Sequence, residues 1–470
     1  MTTQRSIEAE RLNGYLVLLF LLLSTATLFD GFDAGLLSFA APEVRATFDI
    51  SRGEWGFVTG LTRFGVMASF LFLISADRWG RRTLLMVTVL GFTLFNGLTA
   101  FSETKAEFIA WQFLARLFLT AEYALAVIVI GEEFPARSRG RAIAILTSLA
   151  TVGVMIMAKL QPYVLLEPGE ESNWIHGLGT SIVLWGQELL GLQPDHENWR
   201  ALYMLGALPL VLVFVLRFAM RETRRFDALQ EKNSLDGGEA DTSLIVPKAT
   251  SMREQFQNAL TPWKPRYRKR SAVVTLLWNC VHLVTAPSVI YWVIFAREDL
   301  GLSTAEVGDI VFWGYGGGVA GHFTAGYLVD RIGRKYTCAG FYVFAAAAIY
   351  MLYHVHTLAG QYLWMICTVF SFGAANTATH IYASELFPTE IRATGYGWTT
   401  NFLGRITEVV TPAAIGALIV PLGGIPAAIG AVAIGPVLGA ALVLRYAPET
   451  RGLTLEEIQV AMDGDSPENS

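Results

Sequence analysis

Carboxylates and guanidinium groups stand deep inside long apolar stretches of this chain: Asp30, Asp33, Arg63, Arg116, Glu122, Arg405 and Glu408. A charge in hydrocarbon is costly, so each is a functional candidate by default. Asp30-Gly31-Phe32-Asp33 places two carboxylates at i and i+3, on one face of a helix. Two acids so close do not both ionise cheaply, and at least one of them is a natural proton carrier. The alternative is that Asp30 or Asp33 merely pairs with Arg63 or Arg116. The arginines offer the complementary chemistry, because a guanidinium grips a carboxylate with two parallel N–H bonds. Arg63 is either a substrate anchor or half of a structural pair. Arg116 is either an internal ion pair or a ligand contact. Arg405 has Glu408 at i+3, so it either balances that acid or anchors an anion. Asp30, Arg63 and Arg116 each stand about ten residues, roughly 15 Å, from the outer end of their apolar runs, and Arg405 also falls near mid-depth. Lys159, close to the outer end of its run, is expected to snorkel.

Only a membrane accounts for where these groups sit. Hydrophobic residues make up 53% of the 470 and charged residues 16%, against about 25% charged in a soluble domain. Such a chain cannot cover its surface with charge, so it needs lipid as its solvent. A bilayer core of about 30 Å takes roughly 20 apolar residues per helix. Runs of that kind occur at about 14–40, 53–76, 83–101, 106–131, 138–161, 199–220, 271–296, 305–329, 337–358, 360–383, 393–421 and 424–446. The reading is an all-α membrane protein of twelve transmembrane helices. Its expected organisation is an N-terminal six-helix bundle over 1–220, a cytoplasmic linker over 221–270, a C-terminal six-helix bundle over 271–446 and a short cytoplasmic tail over 447–470.

Lys/Arg placement sets orientation. Arg78, Arg81 and Arg82 share one short loop, Arg137, Arg139 and Arg141 lie two spans later, and Arg331, Arg334 and Lys335 repeat the pattern. Loops on the other side carry acids such as Glu167, Glu170, Glu171, Asp195 and Glu197. Both termini are therefore expected on the cytoplasmic side. The basic end of the linker, Lys264 to Arg270, suits anionic lipid headgroups. The first apolar run, from Gly14, is too long for a secretory signal and lacks a small-residue cleavage site. A net charge of -5 gives no reason to expect nucleic acid. Cys280, Cys338 and Cys367 are odd in number and lie in apolar runs, which argues against a disulfide framework or Cys-rich metal site. There is no P-loop, H-E-x-x-H or C-x-x-C, so neither an enzyme nor a bound cofactor is expected.

The two halves repeat. Asp77-Arg78-Trp79-Gly80-Arg81-Arg82 matches Asp330-Arg331-Ile332-Gly333-Arg334-Lys335 at an offset of 253, and Glu132-Glu133-Phe134-Pro135 matches Glu385-Leu386-Phe387-Pro388 at the same offset, as Arg139 does Arg392. A parallel repeat of six helices is an architecture of secondary transporters. The two D-R-x-G-R-[RK] loops, the repeated E-x-x-P-x-x-x-R, and Pro448-Glu449-Thr450-Arg451-Gly452-Leu453-Thr454 resemble the major facilitator superfamily. The resemblance covers nearly the whole chain. It implies two pseudo-symmetric six-helix bundles around a central cavity that rock to expose one substrate site to either side, in a monomer. D-G-F-D resembles the first-span motif of the aromatic acid:proton symporters, and Gly31-Phe32-Asp33-x-Gly35 also fits a sugar-porter pattern. Glu122-Tyr123 resembles the G-[ED]-[YFW] of proton-coupled organic-ion and phosphate porters. Gly404-Arg405 with Pro412 resembles the span-11 motif of organic-ion transporters, whose organic-anion members turn this arginine to the cavity. Glu408 departs from that motif.

Asp77, Arg81, Glu132, Arg139, Asp330, Arg334, Glu385 and Arg392 read as gate residues, able to bridge helix ends and close the inner side. The alternative is that the positive charges only set orientation. Asn279, His282, Tyr291, Trp292, Asn376 and His380 are further candidates for lining the cavity, with His322 a weaker one. The loop 162–198 is expected to form a helical hairpin or cap at the outer surface. The expectation is a proton-coupled symporter of a small organic anion, a carboxylate and in particular an aromatic acid, in a bacterial cytoplasmic (inner) membrane. Its rivals are an organic cation or drug:proton antiporter, a sugar or polyol porter, and a substrate sensor built on a transporter fold.

Overall fold

The computed structural model describes residues 14–69, 72, 80–134, 136–219, 260–388, 391–453 and 457–458, though not every side chain within its helices. The elements are α-helical with short 3-10 and π turns. In chain order they are α1 (Gly14–Phe39), α2 (Ala41–Thr47), α3 (Arg52–Ala68), α4 (Arg81–Thr99), α5 (Lys105–Glu133), α6 (Ala136–Leu160), α7 (Trp174–Leu190) and α8 (Asn198–Leu216). There follow α9 (Pro265–Ala286), α10 (Thr304–Arg331), α11 (Arg334–His354), α12 (Leu358–Glu385), α13 (Arg392–Tyr396), α14 (Ile406–Leu422), α15 (Ile425–Val432) and α16 (Ile434–Tyr446). Among the described residues, nine helical stretches are long and apolar enough to cross a membrane. Two more helices, α6 and α10, have 25 and 28 residues but carry charge at their ends.

The chain divides into two compact units. One comprises 1–50, 61–243 and 301–312, the other 51–60, 244–300 and 313–470. Thus α3 and α10 each begin in one unit and continue in the other. In the first unit, leucines of α1, α4, α5 and α6 interlock, among them Leu23, Leu84, Leu125 and Leu146. Glycine brings α1 and α6 together: a Cβ on Gly31 would meet the backbone of Ala150, and one on Gly153 the backbone of Leu28. The core of the second unit is more aromatic, with Trp278, Tyr342, Tyr382 and Phe387 fully enclosed.

The repeat seen in the sequence extends to helix starts. Ser51 and Glu54 form a reciprocal capping box before α3, and Ser303 and Glu306 form another around the start of α10. Before α4 and α11 stand Gly80 and Gly333, with φ of 85° and 109°. Those angles are open to glycine and strained for other residues. Thr104 and Thr357, again 253 apart, accept the backbone N–H groups of Glu107 and Gly360 and cap α5 and α12.

Three of the expected runs differ in local detail. The loop 162–198 holds no hairpin but one helix, α7, capped by Asn173, ended by Gly191 at φ 70° and packed through Gly179 against Ala201 and Leu205. The run 393–421 is not one regular helix: a π segment (Gly397–Phe402) and a 3-10 turn (Leu403–Arg405) separate α13 from α14. The last run divides into α15 and α16 at Ala433.

Because Gly153 meets backbone rather than a movable side chain, Gly153→Val is expected to part α1 from α6 at a cost of about 3 kcal/mol, the upper part of the overpacking range. Thermal unfolding of the purified variant in detergent checks this; unchanged stability would contradict the packing described.

Candidate functional site

Within the first unit the buried charges fall into two differently satisfied pairs. The first joins α1 to α5. Arg116 Nη2 lies 3.0 Å from Asp33 Oδ2, yet its aligned hydrogen bond goes to the Asp33 carbonyl oxygen, at 3.1 Å. Asp33 is 1% exposed. Both its carboxylate oxygens are buried and, among the described residues, accept no hydrogen bond. Arg63 and Tyr203 lie within electrostatic reach of Asp33, and the Tyr203 hydroxyl is likewise buried without a hydrogen-bond partner among the described residues. Asp30, three residues earlier, is only partly buried, so the two acids differ in environment although they share a helix.

The second pair is closed. Glu122 Oε2 accepts from Thr88 Oγ1 at 2.6 Å, and its Oε1 accepts from Arg217 Nη2. Arg217, with no exposed surface, also donates to the Leu85 carbonyl at 2.9 Å and to that of Leu22 at 3.5 Å. This network binds α1, α4 and α5 to the 3-10 turn Arg217–Ala219 that follows α8. Glu122, read from sequence as a proton carrier, is bonded in this structure to Thr88 and Arg217.

In the second unit the break before α14 presents Arg405. Irregular backbone at membrane depth must be satisfied internally, and Asn279 of α9 does so. Its amide donates to the Leu403 carbonyl at 2.9 Å and its side-chain oxygen accepts the Thr407 N–H at 2.9 Å. Thr407 Oγ1 donates in turn to the Asn279 carbonyl at 2.7 Å. Gly404 makes the close approach possible, since a Cβ there would come within 2.8 Å of Trp278 Cβ. Arg405 Nη1 donates to Glu408 Oε2 at 2.8 Å, and His282 Nδ1 lies 3.8 Å from the same oxygen. The Trp278 ring stacks on His282 at 5.5 Å and meets His380 edge-on at 4.4 Å. His380 Nδ1 is hydrogen-bonded to the Tyr396 hydroxyl. The Arg405 guanidinium lies within electrostatic reach of His380, so a cation, aromatic faces and two imidazoles occupy neighbouring positions, chemistry that suits an aromatic anion.

The other candidates are dispersed. Tyr291 donates to the Pro412 carbonyl and Trp292 to Gln361, both in packing roles. His322 meets Thr377 at 2.6 Å. Lys159 reaches Asp309, and both side chains are half exposed, so the pair contributes little. Arg52 lies between Glu298 and Asp299, each at 2.8 Å. Burial lowers the Arg52 pKa, but hydrogen bonds to the two acids outweigh it and the net shift is upward.

Of the gate residues, Asp77 and the side chains of Glu132, Arg139 and Arg392 lie outside the described residues. Arg81 is buried. Arg334 donates to Glu385 from Nε at 3.2 Å and from Nη2 at 2.9 Å, whereas Asp330 is 74% exposed and 3.3 Å from Arg334 Nη1. Sequence reasoning missed the third partner. Glu449 Oε1 accepts the Arg334 and Arg451 N–H groups, each at 2.9 Å, and its Oε2 accepts that of Lys335 at 3.2 Å. A carboxylate thus caps the start of α11, where unsatisfied amides favour negative charge. It occupies the space that a side chain on Gly333 would fill. Thr450 Oγ1 reaches Glu385 at 2.5 Å and closes the network. The Pro448-Glu449-Thr450 motif was the available signal.

The family model of the Major Facilitator Superfamily matches residues 23–412. The chain belongs to this superfamily. Its fold is therefore that of a twelve-helix transporter with two pseudo-symmetric six-helix bundles, and it is a multi-pass integral membrane protein that moves small molecules rather than an enzyme. Among curated relatives, the niacin transporter NiaP of Acinetobacter baylyi is 24% identical over 92% of this chain and 93% of its own length. The gallate transporter of Pseudomonas putida is 25% identical over 89% of each chain. Among solved structures, a D-xylose-proton symporter superposes with a TM-score of 0.71 at 16% identity, covering 94% of this chain and 100% of its own; that likeness concerns the fold alone.

Breaking a buried ion pair from one side leaves the other charge uncompensated, at about 3–5 kcal/mol. Glu122→Gln is therefore expected to strand Arg217 and lower thermal stability in detergent by that order, with substrate binding kept in the protein that remains folded. A variant as stable as the parent would contradict the tie.

Proposed function

We propose that this transporter is a proton-coupled symporter of a small organic anion, specifically an aromatic carboxylate. One observation carries the coupling: both carboxylate oxygens of Asp33 are buried and accept no hydrogen bond among the described residues. An ionised carboxylate in that setting is expensive, whereas a protonated one is not. The acid is held near a guanidinium but not locked to it, so it can take a proton and release it as its surroundings change. Glu122, fully bonded, is less suited to that work. The anion reading rests on Arg405, paired with Glu408 and within electrostatic reach of His380, whose ring meets that of Trp278. Relatives named for niacin and gallate support the aromatic class.

Among the charges first singled out, four acids stand against three arginines, a surplus that would favour an organic cation. Counting Arg217 removes it: Asp30, Asp33, Glu122 and Glu408 face Arg63, Arg116, Arg217 and Arg405. A sugar substrate lacks support, because span 5 reads Leu146-Thr147-Ser148 where sugar porters carry Q-L-S. The reading takes the protein as a monomer of a bacterial cytoplasmic membrane, both termini inside, with Lys264 to Arg270 at the headgroups and Arg334–Glu385 on the gate side.

Uptake into proteoliposomes tests this, with a panel of labelled aromatic acids, aliphatic acids, organic cations and xylose, with and without an inward proton gradient. Aromatic acids are expected to accumulate only with the gradient. Asp33→Asn is expected to abolish accumulation while leaving counterflow exchange intact. Uphill accumulation by that variant would move the proton site elsewhere, and proton-driven extrusion of a cation would replace the symport reading.

A further inference from the structure

Arg405 and Glu408 form a different kind of pair from Arg217 and Glu122. Arg217 is enclosed, its Nη atoms engaged by two carbonyls as well as the acid. The Arg405 side chain is 27% exposed and touches Glu408 through Nη1 alone; that of Glu408 is 11% exposed. One edge of the guanidinium is thus covered by a carboxylate of this chain, and part of the side chain remains exposed among the described residues. The turn that presents it is fixed by Asn279 and cannot easily withdraw.

We propose that Glu408 is a built-in competitor for the substrate's carboxylate, lying on Arg405 until a proton displaces it. This rests on the organic-anion reading of the same site. A carboxylate on a three-residue tether has a high effective concentration at the guanidinium, so a free anion binds only against it. A proton from water adds to Glu408, its negative charge is lost, and the ion pair with Arg405 ends. The guanidinium then takes the substrate anion with two parallel N–H bonds. The balance is one proton and one monoanion taken up, with no change in net charge. Anion binding in the second unit is thereby coupled to protonation without any signal from Asp33.

The groups that surround Glu408 suit such an exchange. From the 3-10 turn comes Arg405, and from α9 His282, whose Nδ1 is 3.8 Å from Glu408 Oε2. Behind His282, across the Trp278 ring, stands His380 of α12, hydrogen-bonded to Tyr396 of α13. Tyr291, from the π segment Pro287–Tyr291, donates to the Pro412 carbonyl, one turn further along α14. The start of α3 meets α14 through glycine backbone, at Gly56 and Gly60, and its charged Arg52 is engaged with Glu298 and Asp299. Helix α15 has no titratable side chain. His282 is the group placed to pass a proton to Glu408.

The test is binding of benzoate, nicotinate and the neutral benzamide to the purified full chain in nanodiscs between pH 6 and 8, roughly the range where the acids stay ionised and histidine titrates. For one linked proton, affinity changes about tenfold per pH unit. The wild type is expected to bind the acids more weakly as pH rises. In Glu408→Gln the slope should fall by one proton, and binding at pH 8 should be tighter than in the wild type. Glu408→Asp, which keeps the acid, should retain the slope; it serves if the Gln variant fails to fold. Proton uptake on binding, read by calorimetry in two buffers of different ionisation enthalpy, gives a second readout on the unaltered protein. A slope unchanged in Glu408→Gln, or weaker binding at pH 8, would overturn the proposal while leaving the anion reading intact. Acids bound by neither protein at any pH, with benzamide bound by both, would overturn the anion reading and this inference with it.

Discussion

In hydrocarbon, a charge or a backbone amide that is not satisfied by the protein is not satisfied at all. That constraint organises both units of this transporter. It puts Arg217 against Glu122, two carbonyls and thereby three other helices. It puts Asn279 across the irregular turn before α14, where its side chain accepts the Thr407 N–H and donates to the Leu403 carbonyl. At the start of α11 the same need is met by Glu449, reaching back from beyond the last helix to the amides of Arg334 and Lys335.

Against this saturated background the incompletely satisfied groups stand out. Asp33 is as buried as Glu122, but its carboxylate lacks the hydrogen bonds that Glu122 receives from Thr88 and Arg217. Arg405 keeps an open side where Arg217 has none. A group whose every bond is made has no reason to change state. One held by charge alone can exchange a proton or a ligand for a small free-energy difference, which is the condition for coupling two solutes. On the proposed reading, fixed pairs and exchangeable ones divide the buried charges between structure and transport.

Much of the fold was legible in the sequence. Span length is set by bilayer thickness, and the 253-residue repeat showed in the loop motifs; the paired glycines at 80 and 333 and the paired caps at 104 and 357 confirm it. The candidate site was legible as a set of depths but not of partners. Spacing put Arg405 and Glu408 one turn apart, and they are in contact. It gave no hint that Glu122 would be met by Arg217, 95 residues away, because that residue sits at the end of its run and reads as an interface charge. Asn279 looked like a cavity-lining amide; its role depends on a break in the following helix that no Gly-Pro pair announces. Glu449 was visible only as part of a family motif without a mechanism, since a cap formed 115 residues from the amide it serves leaves no local pattern.

The division between fixed and exchangeable charges is tested most directly by infrared difference spectroscopy of the full chain in lipid, on adding an aromatic acid at neutral pH. Protonated-carboxyl bands that respond to the acid are expected, one lost in Asp33→Asn and a second, from Glu408, lost in Glu408→Gln, with both retained in Glu122→Gln. A band that survives in Asp33→Asn and vanishes in Glu122→Gln would contradict the account, because the acid closed by Thr88 and Arg217 would then be the one that titrates.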